Sequence, residues 1–279
     1  MGKDILTTII EHKRVEVETQ KQLQPAGKLT EIIGQRNPQS ARHSLKQALA
    51  ASTTGIIAEF KRRSPSKGWI NREAKPEEVI PQYEAAGASA LSILTDEAFF
   101  AGTLDDLTVA RPLTGLPILR KDFVIDSYQL LQACAAGADA VLLIAACLEL
   151  TQCMTLAEEA HHLGLEVLLE LHSPDELGYV ACAPDLVGVN NRSLGTFHTD
   201  ASHALTLADA LTKATESLPQ HPLLVAESGI HDPETACLLR NHGYRGLLIG
   251  ERFMRGDRPG QELHAFIQQM SNLPTPSAL

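Results

Sequence analysis

Several features are scarce in these 279 residues, and each scarcity excludes a class of function. Aromatic side chains make up only 4% of the chain, too few for the stacking platforms that hold single-stranded nucleic acid. Positive charge is outnumbered, with 24 basic residues against 34 acidic ones and a net charge of −10. A nucleic-acid backbone is not expected as a partner, so any anionic ligand must be met by a local cationic cluster. The five cysteines (Cys134, Cys147, Cys153, Cys182 and Cys237) are odd in number and show no Cys-x-x-Cys spacing. That argues against a disulfide framework or a zinc site and for a reducing cytoplasm. The longest apolar run, residues 140–148, is far too short to cross a bilayer, so no membrane partner is expected. The N-terminus lacks the layout of a signal peptide, and Leu6 stands where a myristoylation signal needs Ser or Thr. Metal-ligand spacings, Gly-x-Ser-x-Gly and the phosphate-loop motif Gly-x-x-x-x-Gly-Lys-Ser/Thr are all missing, and neither metal nor cofactor is expected.

What is present is a repeat. Short apolar runs recur at residues 56–60, 90–94, 117–119, 140–146, 166–171, 186–189, 223–226 and 246–249. Helical segments between them, among them 76–86, 127–136, 148–163 and 232–242, often stop on glycine: Gly87, Gly137, Gly164 and Gly243 each precede the next apolar run. Eight strands alternating with helices predict an α/β fold, a (β/α)8 TIM barrel. An open doubly wound sheet is the alternative, but no Gly-x-Gly-x-x-Gly follows the first strand. The barrel is assigned to residues 51–270 and an N-terminal helical extension packed on it to residues 1–50. That extension carries a helix with Ile5, Leu6, Ile9 and Ile10 on one side and Glu11, Lys13, Arg14 and Glu16 expected in solvent. A turn-rich stretch at 36–40 precedes a second helical stretch near 45–51, and a loose tail is expected over 271–279.

Catalytic groups in such barrels come from the C-terminal ends of the strands. The strand ends here collect Glu59 and Lys61; Ser92, Thr95 and Asp96; Arg120, Lys121 and Asp122; Glu170 and His172; Asn190, Asn191 and Arg192; Glu227 and Ser228; and Glu251. Glu59 and Lys61 sit two apart, hence on one strand face, ahead of a basic Ser/Gly loop, Arg62 to Gly68. At the third strand, alternation turns either Lys121 or the pair Arg120 and Asp122 inward, and the local pattern leaves both open. A lysine among apolar neighbours is suited to acid, base or Schiff-base chemistry. Glu170 ends an apolar strand, a setting that raises a carboxyl pKa unless a cation pairs with it. His172 lies on the same face and, standing alone, reads as a hydrogen-bonded scaffold residue. After the last two strands come Glu227-Ser228-Gly229 and Gly250-Glu251, loops whose free backbone N–H groups suit a phosphate.

Taken together, these segments resemble the indole-3-glycerol phosphate synthase family. The resemblance runs from Ile5-Leu6 through Ala58–Gly68, Ile93-Leu94-Thr95-Asp96, Phe99-Phe100-x-Gly102 and Leu119-Arg120-Lys121-Asp122-Phe123. It continues through Glu170 with His172, Gly188-Val189-Asn190-Asn191-Arg192-x-Leu194, Ala226-Glu227-Ser228-Gly229-Ile230 and Ile249-Gly250-Glu251. It implies conversion of 1-(2-carboxyphenylamino)-1-deoxyribulose 5-phosphate to indole-3-glycerol phosphate, carbon dioxide and water, a step of tryptophan biosynthesis. It further implies Lys121, turned inward, as general acid on the substrate carbonyl, Glu170 in proton transfer during dehydration, and Glu59 and Asn190 as positioning groups. Lys61 and Arg192 would hold anionic groups, while Ser64, Ser228, Gly229, Gly250 and Glu251 would shape the substrate and phosphate site. The expected state is a cytoplasmic monomer acting on a phosphorylated small molecule. Two rivals are an aldolase-type barrel using the lysine as a Schiff-base nucleophile and a catalytically silent scaffold.

Overall fold

A computed structural model of the chain describes residues 5–35, 43–192, 202–216 and 218–273. Leu194, the turn-rich stretch 36–40 and the tail from 274 lie outside the described residues. Eight parallel strands close into a barrel: β1 (Ile56–Phe60), β2 (Ala90–Leu94), β3 (Ile118–Lys121), β4 (Ala140–Ile144), β5 (Glu166–Leu171), β6 (Leu186–Asn190), β7 (Leu223–Glu227) and β8 (Tyr244–Ile249). Each pairs with its sequence neighbours, and β8 closes on β1 through Ile56 opposite Leu247. The expected (β/α)8 barrel is the observed fold. All four predicted helix-stop glycines have φ between 73° and 99°, and Gly137 serves as the left-handed cap of helix Ser127–Ala136.

The strands are apolar on both faces because both are covered. Outward residues such as Leu91, Val141 and Val187 pack on the helices, while Ile57, Ala90, Leu119, Leu142, Leu168, Leu186, Val225 and Leu248 fill the interior. Among the described residues three N-terminal helices precede the barrel: α1 (Ile5–Leu23), α2 (Ala26–Gln35) and α3 (Leu45–Ala51). Leu45 and Leu49 of α3 join the interior cluster and stopper the end where the strands begin. The functional end is therefore the other one. Along each strand, two residues beyond an interior hydrophobe the side chain again faces the barrel axis. From Ile57, Leu119, Leu168 and Val225 that step reaches Glu59, Lys121, Glu170 and Glu227.

The elements differ from expectation mostly at their ends. Strand β3 runs on through Arg120 to Lys121, because Arg120 and Lys121 both find partners that allow charges inside a ladder. Strand β4 stops at Ile144 where a 3₁₀ turn begins, and β8 starts two residues early, with Tyr244 buried. The last helix, Pro259–Asn272, continues past the expected start of the tail at 271.

One expectation is corrected outright: Lys13 is fully buried, not solvent-facing. It lies four residues after Ile9, three after Ile10 and four before Val17, all buried, so the apolar stripe of α1 runs through it. Its ammonium sits 2.9 Å from Asp96 Oδ2, 3.0 Å from Asp122 Oδ1 and 2.9 Å from Glu16 Oε2. Burial pulls the Lys13 pKa down, but Asp122, Asp96 and Glu16 outweigh it and hold the ammonium above its ordinary value.

Candidate active site

Strand β3 resolves the choice that alternation left open. Leu119 points into the barrel, so Lys121 does too, and Arg120 and Asp122 point away. The outward pair enters a buried polar cluster between β3 and the helices. Arg120 donates to Asp122 Oδ2 at 2.9 Å, to Thr95 Oγ1 at 3.0 Å and to the Gln129 carbonyl at 2.6 Å, while Lys13 closes the other side of Asp122. Burial pushes the Asp122 carboxyl up, yet Lys13, Arg120 and the Thr95 hydroxyl together hold it well below the usual carboxylate range.

Inside the mouth, Lys121 Nζ lies 3.1 Å from Glu170 Oε2 and 3.5 Å from Glu227 Oε2. Burial disfavours the ammonium, but Glu170, Glu227 and Glu59 outweigh it, so Lys121 stays charged with a pKa above its ordinary value. The two acids around it are split in opposite directions. Glu170 is raised by burial but lowered more by Lys121, His172 and Asn190, and it ends well below the usual range. Glu227 is raised by burial and by Glu170, against a weaker pull from Lys121, and is pushed up to about 8. Neighbouring carboxyls cannot both ionise cheaply, so one holds its proton near neutrality while the other is a carboxylate.

The remaining contacts order the rim. Lys61 Nζ lies 2.5 Å from Glu59 Oε1, and Asn190 Nδ2 donates to Glu170 Oε1 at 3.0 Å. Arg192 Nη1 donates to Ser66 Oγ at 2.9 Å and its Nη2 stands 3.7 Å from Glu251 Oε2, which ties the loop after β1 to those after β6 and β8. Two glycines are there for close approach. A Cβ on Gly250 would come within 2.5 Å of Glu59 Oε1, and one on Gly188 within 2.2 Å of Glu227 Oε1. Ser228 and Gly229 both take left-handed backbone (φ 65° and 73°), and the Ser228 carbonyl accepts from Asn191 Nδ2 at 3.1 Å.

Glu59, Lys61, Lys121, Glu170, Asn190, Arg192, Ser228, Gly229, Gly250 and Glu251 all line one cavity, about 1170 Å³ of open space including its mouth. Of the residues expected at the site, Ser64 alone does not line it; it is buried, and its Oγ accepts from the Lys67 N–H at 3.3 Å. Two contributors escaped the sequence reading. Ser66 was passed over beside Ser64, and Glu227 appeared among the strand ends without a role. The first turns of α1 place Ile5, Leu6 and Ile9 over the cavity with Phe100 and Phe123 as its apolar wall. Among the described residues no helix is long and apolar enough to cross a membrane.

A family model described as indole-3-glycerol phosphate synthase matches residues 6–266. The indole-3-glycerol phosphate synthase of Bacteroides thetaiotaomicron is 57% identical over 266 residues, covering 95% of this chain and 98% of that protein. That of an Azoarcus species is 40% identical over 267 residues (94% and 98%), and that of Rhodopirellula baltica 46% over 207 residues (74% and 77%). Among solved structures, thiamine phosphate pyrophosphorylase from Pyrococcus furiosus aligns with a TM-score of 0.57 at 17% identity, covering 82% of this chain and 98% of that one. At that identity the likeness extends to the barrel alone. The chain belongs to the indole-3-glycerol phosphate synthase family.

Proposed function

We propose that the protein is an indole-3-glycerol phosphate synthase of tryptophan biosynthesis. It would close the ring of 1-(2-carboxyphenylamino)-1-deoxyribulose 5-phosphate, with loss of carbon dioxide and then water. The observation that carries this reading is Lys121 held inside the mouth of the cavity, its Nζ 3.1 Å from Glu170 and 3.5 Å from Glu227. Ring closure turns the substrate carbonyl into an alkoxide, and Lys121 is suited to donate the proton and to stabilise the developing charge. Glu170 then accepts a proton as the ring aromatises with loss of hydroxyl. Glu59 and Asn190 position the reacting hydroxyl and amine, and Lys61 and Arg192 hold the anionic groups. Ser228, Gly229, Gly250 and Glu251 frame the phosphate, backed by Ser64 under the loop after β1. Residues 1–50 belong to the working unit, because α1 walls the cavity and α3 stoppers the barrel.

The reading extends to a monomer working in the cytoplasm, which size-exclusion chromatography and cell fractionation would check. Incubation of the purified protein with the carboxyphenylamino-ribulose phosphate should produce indole fluorescence. Absence of that signal in a folded preparation would remove the assignment. Borohydride with substrate should leave no covalent adduct on Lys121, in contrast to a Schiff-base enzyme.

A further inference from the structure

His172 stands beside the proposed chemistry with no part in it. It follows Glu170 by two residues, so alternation turns its ring to the same side. Its backbone is anchored twice: the N–H donates to Glu176 Oε2, and the carbonyl accepts from His203 Nε2 at 2.8 Å. The ring is spent on neither contact. It is largely buried, with Nε2 lying 3.1 Å from Glu170 Oε1, a contact that falls short of full hydrogen-bond geometry, and Nδ1 has no partner among the described residues. A buried polar group left short of a partner costs free energy and calls for a reason. In the resting site Glu170 is already served, by Lys121 on Oε2 and Asn190 on Oε1. A third donor is surplus there. During turnover it is not, because the proposed acid Lys121 must turn its ammonium to the substrate and release Glu170.

We infer that His172 is a positioning residue for Glu170: its Nε2–H takes up Glu170 Oε1 as Lys121 engages the substrate and keeps that carboxylate aimed for the later proton transfer. This rests on the proposed function. Contacts in resting enzymes are often misaligned and tighten only once substrate is bound. The groups facing the pair come from several elements: Lys121 on β3, Glu227 on β7, Cys147 after β4, and Glu176 in the 3₁₀ segment after β5. His203, from helix Ser202–Thr215, reaches the His172 carbonyl. Burial raises the Glu170 pKa, and Lys121, His172 and Asn190 lower it. Without His172 it should rise, and because Glu170 must be ionised to accept a proton, activity should fall off at higher pH than in the parent.

The test compares His172→Leu, which deletes the donor, with His172→Gln, which keeps an amide N–H near the place of Nε2. The leucine variant should lose ~10-fold in kcat, as for one hydrogen bond to a charged group, with KM changed by less than ~2-fold and the acid limb displaced upward. The glutamine variant should recover most of the rate. Wild-type kcat and acid limb in the leucine variant overturn the inference. So does equal impairment of both variants in step with their melting temperatures, which marks lost packing. Independently of turnover, the Glu170 carboxyl carbon, followed by ¹³C NMR in Lys121→Met, where no ammonium holds Glu170, should titrate at higher pH when His172→Leu is added. An unchanged titration overturns the pairing, whereas a shifted titration together with a parent protein that forms no indole overturns only the assigned reaction.

Discussion

Replacing Lys121 by methionine keeps the apolar stem and removes the ammonium. In the intact site that ammonium faces Glu170 at 3.1 Å and Glu227 at 3.5 Å, with both acids almost fully buried. Removing one partner of a buried ion pair costs on the order of 3–5 kcal/mol, and the lower end applies here because Glu227 already carries its proton near neutrality. In a chain of this size ~3 kcal/mol lowers the melting temperature by roughly 6–12 °C. The loss should itself depend on pH. In the parent, Lys121 holds the Glu170 pKa below its unfolded value, so this stabilisation is present above the unfolded pKa and fades as pH falls through the folded one. In the variant the strongest opposition to burial is gone, so the Glu170 pKa rises and the folded state holds its proton to higher pH. The second effect makes the variant's deficit larger at pH 8 than at pH 5, while the first narrows the deficit only as pH falls below the unfolded value near 4.5.

Turnover provides the decisive measurement. A group that donates a proton and meets developing negative charge contributes ~10²–10⁴-fold, so kcat should fall by at least 10²-fold. KM should move far less, since the interaction strengthens in the transition state. Indole fluorescence under single-turnover and steady-state conditions, with melts at both pH values, would separate the effects. A variant that melts lower but turns over at the parent rate would make Lys121 a structural counter-ion and refute its role as acid.

Gly229→Asp should raise KM ~30-fold or more with a much smaller stability change, since like charges brought together cost on the order of 2–5 kcal/mol; an unchanged KM would put the phosphate elsewhere. Glu227→Gln should flatten the fall in stability between pH 4.5 and about 8, because a carboxyl whose folded pKa is raised stabilises below its unfolded pKa and loses that contribution as pH rises through the folded one; melts that keep the parent's pH slope would contradict the raised pKa. Lys13→Met should cost on the order of 3–5 kcal/mol by leaving Asp96 and Asp122 buried beside one another, and Lys13→Met with Asp122→Asn should recover part of it; a single variant as stable as the parent would mean water reaches the cluster. Deletion of residues 1–24 should leave a folded but less stable barrel with raised KM, as Ile5, Leu6 and Ile9 leave the cavity wall; an unchanged KM would separate α1 from substrate binding.

The barrel was legible because its signals are local. Apolar runs ending in charge, and glycines returning the chain from helix to strand, need no knowledge of distant residues, and strands β1, β2 and β5 follow the predicted bounds residue for residue. The orientation of Lys121 was not legible by periodicity. Ile118 packs on helices and Leu119 on the barrel interior, so both faces of β3 read as apolar and alternation has no contrast to work with. Family resemblance supplied what the pattern lacked. Lys13 was misread for a different reason: a lysine on an apolar stripe is assigned to solvent unless its counter-ions are known, and Asp96 and Asp122 arrive from β2 and β3. The acid pair shares that difficulty, since the pKa values of Glu170 and Glu227 are set by each other and by Lys121 across three strands.

Pairing also bears on how an acidic chain holds a phosphorylated, carboxylated substrate. Glu59 is matched by Lys61 and Glu170 by Lys121, while Glu227 keeps its proton near neutrality. Those five groups therefore sum to no net charge. Glu251 is engaged by Arg255, which leaves the Arg192 guanidinium, with its buried Nε unpartnered, as surplus positive charge at the mouth. A dianionic phosphate needs more than one guanidinium, and the left-handed turn at Ser228 and Gly229 provides backbone N–H groups without a desolvated cation. Raising pH through about 8 would ionise Glu227 and add a negative charge to this balance. Substrate affinity should weaken there, so a KM that rises above pH 8, where the melting temperature no longer falls on account of Glu227, is the expected signature, and a KM flat to pH 9 would count against it.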